Sequence, residues 1–195
     1  MPTIRTFIAI ILPPEVREAL GRYQRMLGAP QASYVKWVRP EGVHLTLKFL
    51  GNVDEARLPA LAEALTNSVA GLRSFVLQTG GLGAFPSPRN PRVPWIAVEG
   101  ELEPLQALYR AVEHATARLG FPREVRPFAA HLTLGRVRES ATFGEKQQLG
   151  RALAEAQVNG PLSIPVQELH VMKSELSRTG ATYTSLYGVP LGPEA

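Results

Sequence analysis

The sequence predicts a mixed α and β protein built as two half-repeats that share one body. Three observations carry this reading. The tetrapeptide His-Leu-Thr-Leu occurs twice, at 44–47 and at 131–134. Strand-like and helix-like stretches alternate twice over along the 195 residues. Nothing between the halves has the composition of a flexible linker, so 1–195 is expected to be one two-lobed domain with one His-x-Thr-x motif per half.

Each tetrapeptide alternates polar and apolar residues. On a strand, residues two apart share a face. His44 with Thr46, and His131 with Thr133, should therefore face one way, and the four leucines the other. One such tetrapeptide arises easily by chance. Two identical copies, each in an apolar strand pattern and together using two of only four histidines, do not. Two such strands across a cleft offer two imidazoles and two hydroxyls to one small ligand. That set suits a phosphodiester. Hydroxyls donate to non-bridging oxygens, and in-line displacement needs a base on one side and an acid on the other. Histidine, with an ordinary pKa near ~6.5, serves in either role.

The elements follow in order. Thr3 to Leu12 reads as a central strand with Arg5 and Phe7 on one face. Pro13-Pro14 opens a helix whose apolar positions are Val16, Leu20, Tyr23 and Leu27, with Gly28 at C′. Ala29 to Pro40 reads as a loop; Trp37 in it either packs, the commoner role, or shields a site or stacks on a base. Val43 to Leu50 is the first motif strand, ended by Gly51-Asn52. Lys48 shares the parity of His44 and Thr46 and either adds charge to that face or stands as a solvated strand-end lysine. Asp54 is placed to cap a helix running to about Ala70, with Leu58, Leu61, Leu65 and Val69 inward. Phe75 to Leu82 is a strand with a bulge or bend at Gly80-Gly81. Phe85 to Arg92 reads as a proline-dense loop, an ordinary connection by default, with a lid or a basic rim as the alternatives. Val93 to Val98 is a short strand placed at an edge by Pro94. Leu102 to Leu119 is a helix ended by Gly120, and His114 on it has no polar company. Phe128 to Leu134 is the second motif strand. A helix at Gly144 to Gln157, a strand at Ser163 to Met172 and a closing strand at Ala181 to Val189 complete the chain. His170, near a strand end and outside either motif, is not expected to be catalytic.

Composition narrows the chemistry. There is no cysteine, which excludes disulfides, thiolate nucleophiles and cysteine metal sites. Asp54 is the only aspartate, which argues against aspartate-built two-metal nucleases. The net charge of +4 suits a polyanionic ligand. Arginine supplies most of the positive charge and is suited to bidentate phosphate contacts. No apolar run approaches the ~18–20 residues that span a bilayer, and the stretch Phe7 to Leu12 lacks the flanks of a secretory signal. A cytoplasmic protein is expected.

With both motifs placed, the chain resembles the two-histidine phosphoesterase superfamily, and within it the RNA 2′,3′-cyclic phosphodiesterases, also called 2′–5′ RNA ligases. The resemblance rests on residues 5–10 (Arg-Thr-Phe-Ile-Ala-Ile), on 37–51 around the first motif, on Pro91-Arg92-Val93-Pro94-Trp95, and on 128–136 around the second. Ala130 stands where the family often has proline. The resemblance implies an α+β fold in which two antiparallel sheets, related by a pseudo-two-fold, flank a central cleft with helices outside. It implies hydrolysis of an RNA 2′,3′-cyclic phosphate to a 2′-phosphate with neither metal nor cofactor. By that analogy His44 is the proton donor to the leaving 3′ oxygen, His131 the proton acceptor from water, and Thr46 and Thr133 hold the phosphate. The motif is symmetric, so the residues alone do not divide acid from base. The analogy also gives Arg136 a phosphate contact, although regular strand parity puts it on the leucine face unless Gly135 breaks the strand. Phe7 and Phe49 are candidate base-stacking surfaces, with core packing the default for both. RNA ends, tRNA halves among them, are the implied partners of a monomer.

Run backwards, the same site would join a cyclic end to a 5′-hydroxyl without ATP. Consistently, the chain has no Lys-x-Asp-Gly adenylation motif and no Gly-rich phosphate loop. The competing readings are a non-catalytic RNA-end-binding module and a phosphodiesterase of small cyclic nucleotides. A histidine metal site is disfavoured, because neither motif brings a carboxylate or cysteine partner.

Overall fold

The computed structural model describes residues 2–29, 32–158, 160–177 and 180–193. Its strands are β1 (Thr3–Ile11), β2 (Val35–Trp37), β3 (His44–Asp54), β4 (Phe75–Ser87), β5 (Asn90–Gly100), β6 (His131–Thr133), β7 (Gly135–Val137), β8 (Ser163–Val166), β9 (Glu168–Ser177) and β10 (Gly180–Pro190). Its helices are α1 (Pro14–Met26), α2 (Leu58–Val69), α3 (Leu102–Arg118) and α4 (Phe143–Glu155). The fold is α+β, with two four-stranded antiparallel sheets ordered β10-β9-β1-β3 and β6-β5-β4-β8. Each sheet carries one histidine motif on an edge strand, β3 or β6, and these two edges lie against each other. A two-stranded ribbon, β2-β7, stands beside that seam.

The local causes are those the residues supply. β1 is rich in β-branched residues, and Phe7 through Ile10 are buried between β3 and β9. α1 starts at Pro14 and ends where Gly28 takes φ 101°, a conformation costly for a residue with a side chain. Asp54 accepts from Ala56 N–H (3.1 Å), capping the single turn Glu55–Arg57 that leads into α2. Thr142 and Glu145 form a reciprocal capping box at the start of α4. α2 packs on α3 and β10, α3 reaches β3, and α4 covers β4 and β5. One continuous core joins both sheets, from Ile8, Ile10 and Leu45 through Leu61 and Leu105 to Ile96, Leu132 and Leu149.

Four local expectations are corrected. The stretch read as a loop from Ala29 to Pro40 contains β2, whose three residues are too few to show a period. The proline-dense 85–92 segment is the end of a long hairpin, because β4 and β5 stay paired to Ser87 and Asn90. β5 is internal rather than an edge. Pro94's carbonyl accepts from Leu134 N–H just past the end of β6, so its missing donor faces the side where that pairing runs out. The single strand expected from Ser163 to Met172 is two strands in different sheets: β8 pairs with β4, and β9 pairs with β1 and β10.

Candidate active site

The motif strands behave as period-two strands where it matters. Leu45, Leu47, Leu132 and Leu134 are all buried, the least covered of them 4% exposed, while His44, Thr46, His131 and Thr133 are half-buried on the opposite face. A cleft of about 590 Å³ opens on that face. His44, Thr46, Thr133 and Arg136 line it, and His131 precedes Thr133 by two residues on the same side of β6.

The two histidines are held alike. His44 Nδ1 donates to Gly42 O (2.8 Å), and His131 Nδ1 donates to Ala129 O (2.7 Å). A carbonyl only accepts, so each bond keeps the proton on Nδ1 and leaves Nε2 to exchange a proton with a ligand. The surroundings differ. His44 stacks on Phe7 (centroids 4.6 Å apart) and meets Tyr183 edge-on (4.9 Å); His131 meets Phe85 edge-on (4.9 Å). Burial pulls His44's pKa below its ordinary value, against the opposing effect of its bond to Gly42 O. Tyr183's phenol is pushed up by burial, and Arg136 and Arg5 oppose that rise, so both guanidiniums are electrostatic neighbours of the same ring.

The other expected ligand-binding residues divide. Arg136 does reach the cleft. The strand breaks at Leu134, and Gly135 starts β7 in a buried crossing where a Cβ would lie 2.8 Å from Val35 Cγ1. That break inverts parity and turns Arg136 outward. Lys48 is a correction. β3 is irregular between Thr46 and Lys48, which pair with Ala9 and Ile8 and leave Leu47 extra. Lys48 therefore falls on the leucine face. Its side chain is 4% exposed, and Nζ bonds Glu113 Oε1 (2.5 Å) and Pro122 O (2.8 Å). It is a buried structural ion and does not face the cleft. The same irregularity turns Phe49 to the cleft, 68% exposed, against the expectation of core packing. Phe7, offered above as a stacking surface, is 2% exposed and sits beneath His44, so it supports the imidazole and has no open face for a base.

Reading the residues in isolation missed Tyr183, Arg39 and Lys36 in the cleft wall. Tyr183 belongs to a strand the sequence does locate, but only pairing through β9 and β1 brings it to His44. His114 is exposed on α3, and His170 bonds Ser185 and Glu168 away from the cleft lining. Among the described residues no group of three or more His, Cys, Asp or Glu converges as a metal cluster would, and no helix is long and apolar enough to cross a membrane.

An α+β fold whose two antiparallel sheets meet at their His-x-Thr-x edge strands, beside a cationic cleft, has the form of a two-histidine phosphoesterase. The chain belongs to the LigT-like phosphoesterases: that family's pattern matches residues 10–95 and again 96–183. It is 33% identical to an RNA 2′,3′-cyclic phosphodiesterase of Methanothermobacter thermautotrophicus over 94% of this chain and 96% of that one. It is 34% identical to one of Thermotoga maritima over 94% of each chain. Among solved structures it resembles a protein of Thermus thermophilus (TM-score 0.77, 29% identity, 98% of this chain and 100% of that one). It also resembles Escherichia coli LigT complexed with 3′-AMP (TM-score 0.75, 27% identity, 97% and 99%).

Proposed function

We propose that this protein hydrolyses RNA 2′,3′-cyclic phosphate ends to 2′-phosphates by general acid–base catalysis, working as a single two-lobed cytoplasmic monomer. The observation that carries the mechanism is the matched pair of imidazoles on abutting edge strands, each with Nδ1 tied to the carbonyl two residues before it. The names of the relatives support the substrate. Water attacks phosphorus as His131 Nε2 takes its proton. The P–O3′ bond breaks as His44 Nε2 gives a proton to the 3′ oxygen, and the phosphate stays on O2′. Thr46 and Thr133 donate to the non-bridging oxygens, and Arg136 offsets their charge. No step calls on a metal, and the described residues of the cleft lining offer no carboxylate to hold one. The exposed ring of Phe49 gives the terminal base a face to stack on.

The direct test is a short RNA ending in a 2′,3′-cyclic phosphate, incubated with EDTA and resolved for 2′- and 3′-phosphate products. A 2′-phosphate is expected. Bound but unchanged RNA would reduce the protein to an end-binding module, and turnover of small cyclic nucleotides alone would move the substrate class. Microscopic reversibility makes some joining to a 5′-hydroxyl RNA expected at high end concentration, without ATP.

The pH profile tests whether both imidazoles take part. One must be protonated and the other neutral, so kcat/KM, which reports free enzyme, should be bell-shaped. Burial lowers the pKa of His44 in the free enzyme, so the limb that His44 sets should lie below the ordinary histidine value of about 6.5 and should be missing from the residual activity of His44→Ala. Bound phosphate stabilises the imidazolium, so the same limb should lie higher in kcat. A flat wild-type profile from about pH 5 to 9, or a His44→Ala profile with both limbs intact, would count against the two-histidine mechanism.

A further inference from the structure

β2 and β7 pair so that Lys36 stands directly opposite Arg136. Both side chains are exposed, and both line the cleft. Like charges facing each other across a ladder repel, and among the described residues neither is in an ion pair that would relieve this. Arg5 and Arg39 bring the cleft lining to four cations, with no carboxylate among its described residues. These four cations equal in number the chain's net charge of +4.

One cyclic phosphate carries a single negative charge. The two threonines and Arg136 already answer it in the mechanism above. Lys36 lies on a different strand, and a cation beyond the one reacting phosphate serves a second anion. In an RNA chain that anion is the phosphodiester on the 5′ side of the terminal nucleotide.

We propose that Lys36, paired with Arg136 on the β2-β7 ribbon, binds this penultimate phosphate, so that the enzyme selects RNA ends over free nucleoside cyclic phosphates. The inference rests on the phosphodiesterase reading above and adds the length of substrate that the cleft reads. Arg136 then sits between two phosphates and its removal weakens both contacts, whereas Lys36 answers to the longer ligand.

The test compares kcat/KM for adenosine 2′,3′-cyclic phosphate with that for a short RNA ending in the same group, across a salt series, in wild type, Lys36→Ala and Lys36→Arg. In wild type the RNA is expected to be the better substrate. In Lys36→Ala the RNA-to-nucleoside ratio should fall about tenfold, and the salt slope on RNA should flatten by about 0.7, one phosphate contact on a single strand. Lys36→Arg should restore most of both. An unchanged ratio, or an equal loss on both substrates, overturns the proposal. If wild type turns over neither substrate, the hydrolase reading fails and the inference is judged by binding. A 2′-phosphate-ended RNA should still bind more tightly than adenosine 2′-phosphate by a margin that Lys36→Ala reduces, and an unreduced margin overturns it.

Discussion

Replacing either motif histidine by alanine should lower kcat/KM on a cyclic-phosphate RNA end by about 10²–10⁴, the range for a positioned general acid or base. The side chains do not carry the fold: each ring is half-buried on the cleft face, and the strands are anchored by the leucines behind them. Both variants should therefore fold, and far-ultraviolet circular dichroism would verify it. The double variant should lose much less than the product of the single losses, because acid and base act on one displacement and the residual rate comes from binding. Thr46→Val and Thr133→Val should each cost roughly 10–100-fold, the scale of a hydrogen bond to a charged oxygen at about 1.5–3 kcal/mol. A His131→Ala enzyme close to wild type would end the two-histidine mechanism, whatever His44→Ala did. Phe7→Ala probes the support rather than the chemistry. It removes the ring on which His44 stacks, and its effect should fall on kcat more than on KM.

What was legible in the sequence follows the reach of a two-residue period. His44, Thr46, His131 and Thr133 share a face because their strands are regular over those few residues, and the buried leucines behind them register it. One residue later the period fails. The extra Leu47 inverts β3, sending Lys48 inward and Phe49 outward, and nothing in Leu-Lys-Phe announces it. Regular strand parity puts Arg136 on the leucine face, the resemblance puts it at the phosphate, and the structure places it in the cleft lining. Gly135 reconciles the two, because only a residue without a side chain fits where β7 crosses Val35. The proline-dense segment after Phe85 has loop composition but hairpin pairing, since neighbouring strands rather than local propensity hold it. The alternation from Ser163 to Met172 reads as one strand while its halves serve different sheets, a tertiary fact that no local pattern holds. The cleft's charge was visible as a net +4, but not its concentration, because Arg5, Lys36, Arg39 and Arg136 come from separate segments.

Lys48→Met should destabilise the protein by about 3–5 kcal/mol, the usual cost of stranding one partner of a buried ion pair. The side chain of Glu113 is 12% exposed, and Lys48 Nζ meets its Oε1 at 2.5 Å. Without the ammonium that carboxylate is left to the Glu124 N–H at 3.1 Å, and Pro122 O loses its donor. For a chain of this size the loss corresponds to a melting temperature lower by roughly 6–20 °C. Adding Glu113→Leu should recover most of the stability, since an apolar pair of similar volume often matches a buried ion pair, and the double-mutant cycle would report the coupling. Below the melting transition, kcat/KM of Lys48→Met should stay within a few-fold of wild type. That outcome separates the two roles open to this residue. A lysine on the His44 face would raise KM and leave stability nearly untouched, while a lysine bound to α3 does the reverse. Raised KM with unchanged melting would return Lys48 to the cleft and remove the strand irregularity at Leu47 from the account of the site. The expected pattern ties the first motif strand to α3 through one buried ion pair, on the same strand as His44 but on its opposite face.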